Sequence, residues 1–288
     1  MQTQELHINT ADGYQVAATL FSPQSEVNAT VIINSATGVL RQYYNAFARF
    51  LSEQGLQVIS YDYRGIGGSK TNDTKDKALS MINWGRKDYA AIVDWVEEKY
   101  PEHKILGVGH SIGGQLLGLL PDNHRISAYL NIASQHAHWG NWRGKFKAQS
   151  FVFFHGLLPA FRYAKQFPKW VLGSEALPKY VTRDWSRFGR KRFYTDIDGK
   201  ELHDNFYNYR GKIRYLAIAD DHAFAPPTAV KSLKENVYIN AEGELILIEP
   251  KHYGMKRIDH FGFFQKNMNQ QAWQECVDWL TEQSFLQP

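Results

Sequence analysis

Ser111 stands between two glycines in Gly109-His110-Ser111-Ile112-Gly113, with Gly114 next in line. A serine hydroxyl is a weak nucleophile near neutral pH. It needs a base to take its proton and a position that a substrate can reach. Glycines on both flanks permit a tight strand-to-helix turn that lifts the hydroxyl above a sheet edge, over a new helix N-terminus. The surrounding residues supply that context. Lys104 to Val108 reads as a buried strand, and the stretch from Ile112 carries Leu116, Leu117 and Leu120 before Pro121 breaks the helix. Ser111 is therefore the candidate nucleophile.

Other chemistries find less support. Arg64-Gly65-Ile66-Gly67-Gly68-Ser69 is glycine-rich but lacks the Lys-Ser/Thr of a phosphate loop, and no dinucleotide fingerprint precedes a helix. His136-Ala137-His138 offers two metal ligands without a third at metal-site spacing. No cofactor or metal is expected. A single cysteine, Cys276, excludes an intrachain disulfide framework, and the N-terminus lacks a secretory pattern, so a soluble, cytoplasmic protein is the expectation. The net charge of +4 over 288 residues does not imply nucleic acid.

The elements that must position Ser111 follow an alternating pattern. Leu6 and Ile8 alternate with polar residues, Asp12-Gly13 makes a turn, and Tyr14 to Phe21 returns as a second strand. Val31 to Ile33, Leu56 to Tyr61 and Ala128 to Ala133 read as further strands. Tyr44, Phe47, Ala48 and Leu51 share one helical face, as do Tyr89, Ile92, Val93 and Val96. The rhythm resumes with a strand from Ile213 to Ala219, a helix near Thr228 to Glu235 and a strand from Glu244 to Ile248. A last helix places Trp273, Cys276, Val277 and Leu280 on one face. This is the pattern of an α/β fold with a mostly parallel sheet flanked by helices.

Residues 136–209 break that pattern. They are rich in aromatics, among them Trp139, Trp142, Phe146, Phe153, Phe154, Tyr163, Trp170 and Trp185, and are punctuated by Gly156, Pro159, Pro168, Gly173 and Pro178. Between His136 and Tyr194 twelve Lys/Arg face two acids, so the rest of the chain is net negative. The expected organisation is a core of residues 1–135 and 210–288 with a helical cap inserted at 136–209. Most of the cap aromatics are expected to pack it onto the core, with solvated cations outside.

With Ala36-Thr37-Gly38, Tyr63-Arg64-Gly65-Ile66-Gly67-Gly68-Ser69 and His260-Phe261-Gly262-Phe263-Phe264, the chain resembles the α/β-hydrolase superfamily, and within it bacterial serine hydrolases that carry these segments. The resemblance implies the order nucleophile, acid, histidine. It points to the acid in Asp220-Asp221, after the strand ending at Ala219, with Asp221 preferred and Asp220 the alternative. It points to His260 as the base, ahead of His252, His110 and His222. The oxyanion donors it implies are the backbone N–H of Ile112 and that of Thr37, with Ala36 as alternative. The glycine-rich segment at Arg64 is then a structural turn.

The expected activity is hydrolysis of a carboxylic ester of a small molecule through an acyl-enzyme, with an apolar or anionic portion of the substrate meeting the cap. Amide or thioester hydrolysis, acyl transfer, hydrolysis of lysophospholipids or acylglycerols at a membrane surface, and a non-catalytic ligand-binding role stay open, as does oligomeric state.

Overall fold

The computed structural model describes residues 1–25, 27–72, 76–161, 164, 166–169 and 175–285. Tyr163, Trp170 and Gly173 lie outside them.

The N-terminal hairpin pairs β1 (Gln2–Asn9) with β2 (Gln15–Ser22). Its turn closes on Gly13 at φ +79°, a left-handed conformation that costs glycine nothing. The chain then lays down β3 (Ala29–Asn34), α1 (Asn45–Glu53), β4 (Gln57–Tyr61), α2 (Ala90–Lys99), β5 (Lys104–His110), α3 (Gly113–Leu119) and β6 (Ile126–Ile132). After a long segment it completes the sheet with β7 (Lys212–Ile218) and β8 (Glu242–Ile248), separated by a helix over Pro227–Asn236.

The eight strands lie in the order β1-β2-β4-β3-β5-β6-β7-β8. From β4 to β8 every neighbouring pair is parallel, and β2 pairs antiparallel to both β1 and β4. Helices cover both faces of a parallel sheet, which is why β3 and β4 are buried at every residue rather than alternating. Fully buried side chains such as Val31, Ile32 and Ile33 each contribute about 2 kcal/mol of burial free energy. The last helix, Gln270–Phe285, buries Trp273, Cys276, Val277 and Leu280, and Trp273 meets Phe47 of α1 edge-on at 5.5 Å. No helix among the described residues is long and apolar enough to cross a membrane.

The segment between β6 and β7 is mainly helical. It holds α4 (Gly144–Val152), which runs on through Phe153–Leu157 with wider turns, then α5 (Lys179–Arg190) and α6 (His203–Asn208). It is not helical throughout, because Gln166–Phe167 pairs antiparallel with Leu177–Pro178. Phe154 lies against Gly189 of α5 so closely that a Cβ there would sit 1.9 Å from its ring. Any side chain at 189 would push these two pieces apart. Trp142, Phe154 and Phe188 are buried, whereas Phe151 and Val152 face outward.

Candidate active site

Strand register brings the candidate residues to one end of the sheet. Asn34 at the end of β3 lies beside Gly109 of β5, and Gly109 lies beside Asn131 of β6. The loops that leave β3, β5, β7 and β8 therefore emerge together at the carboxyl ends of parallel strands, where open α/β sheets bind ligands. They carry Ala36-Thr37-Gly38, Ser111, Asp220-Asp221 and His260.

Ser111 sits between β5 and α3 with φ +56°, a left-handed backbone that a residue with a Cβ adopts only under strain. The tightness of the turn explains Gly113. A Cβ there would lie 2.1 Å from the carbonyl oxygen of Asn34, so only glycine lets the turn pass the end of β3. The N–H groups of Ile112 and Thr37 have no acceptor among the described residues. The N–H of Ala36 is committed, because it donates to Tyr44 Oη at 2.8 Å.

The two adjacent acids do different things. Asp221 is buried, and its Oδ2 lies 2.6 Å from His260 Nδ1. Its carboxylate also accepts from the backbone N–H of Phe224 and Ala225, each at 3.0 Å. Burial pushes this carboxyl up. Attraction to the adjacent His260 ring and these hydrogen bonds outweigh burial and hold it below its ordinary value. Asp220 instead accepts from the backbone N–H of Ile258 and Asp259, each at 3.0 Å. It thus caps the short helix Asp259–Gly262 that bears His260, and Asp259 enters that helix at φ +51°.

An ionised Asp221 can only accept, so His260 Nδ1 carries the proton and Nε2 keeps its lone pair. No hydrogen bond joins Ser111 Oγ to His260 among the described residues. Phe224 stacks on the His260 ring with centroids 5.0 Å apart.

Ser111 opens onto a cavity of about 280 Å³ whose walls include Trp142, Phe146, Phe153, Phe154, Trp185 and Phe224. No lysine, arginine, aspartate or glutamate lines it among the described residues. A second cavity, of about 620 Å³, is lined by Asp221, Phe224 and His260. Trp142 Nε1 donates to the carbonyl of Ala223 at 2.8 Å, which fastens the segment after β6 to the loop that holds Asp221.

The remaining candidates lie elsewhere or are otherwise engaged. His252 is exposed, 4.0 Å from Glu249, and His222 is exposed beside Phe146. His136 is buried with Nδ1 on Ser232 Oγ and Nε2 on the carbonyl of Arg192, and no metal-like cluster exists among the described residues. Arg64 is fully buried and pairs with Asp88 at 2.6 Å and Asp12 at 3.0 Å.

Two contributors escape a sequence reading. Tyr44 fits the apolar face of a helix, yet its hydroxyl joins Ala36 to His110 Nδ1 at 2.8 Å. Gln135 follows β6 in no recognisable motif, yet it lines the Ser111 cavity.

A family model described as alpha/beta hydrolase fold matches residues 29–242, which span the strands from β3 to the start of β8. The chain belongs to the alpha/beta hydrolase fold family. Over 110 residues it is 24% identical to a monoglyceride lipase from Rattus norvegicus, covering 38% of this chain and 35% of the lipase, so the match spans about a third of that protein's length. The fold is similar to that of Est1E from Butyrivibrio proteoclasticus, solved with ferulic acid bound, at TM-score 0.64, 15% identity and coverage of 96% and 98% of the two chains. It is likewise similar to the esterase EaEST from Exiguobacterium antarcticum, at TM-score 0.62, 13% identity and coverage of 96% and 100%.

Proposed function

We propose that this alpha/beta hydrolase cleaves carboxylic esters through an acyl-enzyme, with Ser111 as nucleophile, His260 as base and Asp221 as the carboxylate that orients the base. The observation that carries the reading is the buried 2.6 Å contact between His260 Nδ1 and Asp221, at the same strand ends as a serine held at positive φ. A buried carboxylate on one ring nitrogen fixes the tautomer and orientation of the imidazole and leaves the other nitrogen to exchange protons.

In this mechanism His260 Nε2 takes the Ser111 proton as Oγ bonds to the substrate carbonyl carbon. The carbonyl oxygen becomes an oxyanion held by the N–H groups of Ile112 and Thr37. Collapse breaks the bond to the alkoxy group, which leaves as the alcohol with the proton from His260. Water then gives a proton to His260 as its oxygen bonds to the acyl carbon, the bond to Oγ breaks, and His260 returns the proton to Ser111 as the acid leaves. Asp221 stays ionised throughout and stabilises the imidazolium.

Residues 136–209 act as the cap over the site, and their aromatic side chains suit an apolar acyl group. The uncharged cavity wall favours such a group over an anionic one. An aromatic acid such as the one bound to Est1E and a glycerol ester such as the lipase's name denotes both meet that description.

The test is a rate panel of nitrophenyl esters from short to long chain, with amide and thioester analogues, on wild type and Ser111→Ala. The proposal expects esters to turn over fastest and Ser111→Ala to lose at least about 10³-fold in kcat. Equal rates in the two proteins would refute it.

A second reading, hydrolysis of lipid at a membrane surface, is favoured by the outward-facing Phe151 and Val152 beside Lys145 and Lys147. It expects rates to rise sharply on anionic vesicles, and flat rates across soluble and aggregated substrates would remove it.

A further inference from the structure

We infer that Gln135 reads a hydroxyl on the acyl half of the substrate, so that the cavity beside Ser111 selects hydroxylated acids of otherwise apolar or aromatic skeleton. The inference rests on the reading of Ser111 as nucleophile and adds a substrate class to it.

Gln135 is only 6% exposed, and its Oε1 is buried without a hydrogen-bond partner. Among the described residues it is the one that both lines the Ser111 cavity and carries such an orphaned atom. A buried carboxamide oxygen left unpaired is costly, and substitution by an apolar residue would remove the cost. An amide kept there against an aromatic wall fits a task in the bound state.

The backbone that carries the amide is held in place. Its backbone carbonyl accepts from Gln115 Nε2 at 2.8 Å. On one side Ser134 Oγ donates to the carbonyl of Gly109 at 3.0 Å, and on the other both ring nitrogens of His136 are engaged. The backbone at Gln135 is therefore fixed at the cavity wall, and only the side chain, which makes no hydrogen bond among the described residues, turns to meet a ligand.

The other polar residues of the wall are occupied. Ser150 donates to backbone carbonyls within its own segment, at 2.9 Å to Lys147 and 3.2 Å to Trp139. Gln149 is exposed, so its amide is open to solvent. A hydroxyl both gives and takes a hydrogen bond, so it can pair with either end of the Gln135 carboxamide. Sites that hydrogen-bond a substrate hydroxyl discriminate strongly against analogues that lack it, because the buried polar group is then left unpaired.

The test uses ethyl 3-phenylpropanoate and its 2-hydroxy, 3-hydroxy and ring 4-hydroxy derivatives on wild type, Gln135→Met and Gln135→Leu, with folding followed by near-ultraviolet circular dichroism. We expect at least one hydroxylated ester to exceed the parent in kcat/KM by about tenfold or more in wild type. Either substitution that folds should bring that ratio close to one. Ratios near one at all three positions in wild type, or a preference that survives substitution, overturn the inference. If wild type processes none of these esters and Ser111 reacts with no serine-directed probe, the hydrolase reading itself falls and takes this one with it.

Discussion

His110 Nε2 lies 2.9 Å from the backbone carbonyl of His260, which ties the residue before Ser111 to the histidine proposed as its base. A carbonyl only accepts, so Nε2 carries the proton. Burial, together with the repulsion that two protonated rings this close would feel, holds His110 well below its ordinary pKa and neutral. Its Nδ1 therefore accepts from the Tyr44 hydroxyl at 2.8 Å, and Tyr44 accepts in turn from Ala36 N–H. One chain of hydrogen bonds thus runs from the loop after β3, through the nucleophile turn, to the histidine. This also assigns Ala36 and Thr37 different duties. The Ala36 amide is built into the scaffold, and the Thr37 amide has no acceptor among the described residues.

Tyr44→Phe cuts that chain at its middle and leaves a buried N–H and a buried ring nitrogen unpaired. We expect a stability loss of about 1–3 kcal/mol by urea denaturation. We expect kcat on a nitrophenyl ester to fall by roughly tenfold with KM little changed, since the geometry of the reacting groups and not the cavity is disturbed. Unchanged kcat with raised KM would show that the chain does not position the site.

The two acids should separate cleanly. Asp221→Asn removes the carboxylate that fixes the His260 tautomer, and kcat should fall by roughly 10⁴-fold. Asp220→Asn keeps one acceptor for the two amides ahead of His260, and the fall should stay within about tenfold. Equal losses in the two variants would contradict the assignment of the 2.6 Å contact as the functional one.

Acid should destabilise the fold in part through His136. Burial lowers its pKa to about 4 from the ordinary value near 6.5, so between those pH values the unfolded chain binds a proton that the folded chain does not. Stability attributable to it is intact above pH ~6.5 and declines as pH falls, by about 2 kcal/mol on reaching pH 5. His136→Gln should shrink the difference in unfolding free energy between pH 7 and pH 5 by that amount. An identical pH dependence in the variant would show that His136 is not buried and neutral.

Much of the architecture is legible in the sequence because it is written in local period and punctuation. The hairpin turn at Asp12-Gly13, the buried runs of β3 and β4 and the helical face of Trp273, Cys276, Val277 and Leu280 all lie where the pattern predicts. The roles of neighbours are less legible. Asp220 and Asp221 are the same side chain one position apart, and only the path of the backbone after β7 decides which faces His260 and which caps the helix below it. Tyr44 satisfies an apolar periodicity with its ring, so its hydroxyl leaves no trace in the pattern. Gln135 and the aromatic wall of the cavity come from chain segments with no shared period, and their meeting is a property of tertiary packing alone.

The central claim is that Ser111 is an activated nucleophile. Intact-mass measurement after treatment with a fluorophosphonate tests it most directly. The folded wild type should carry a single adduct, mapped to Ser111, formed far more slowly in Asp221→Asn and absent in Ser111→Ala. A folded wild type that takes no label, or a Ser111→Ala variant labelled equally, would contradict it.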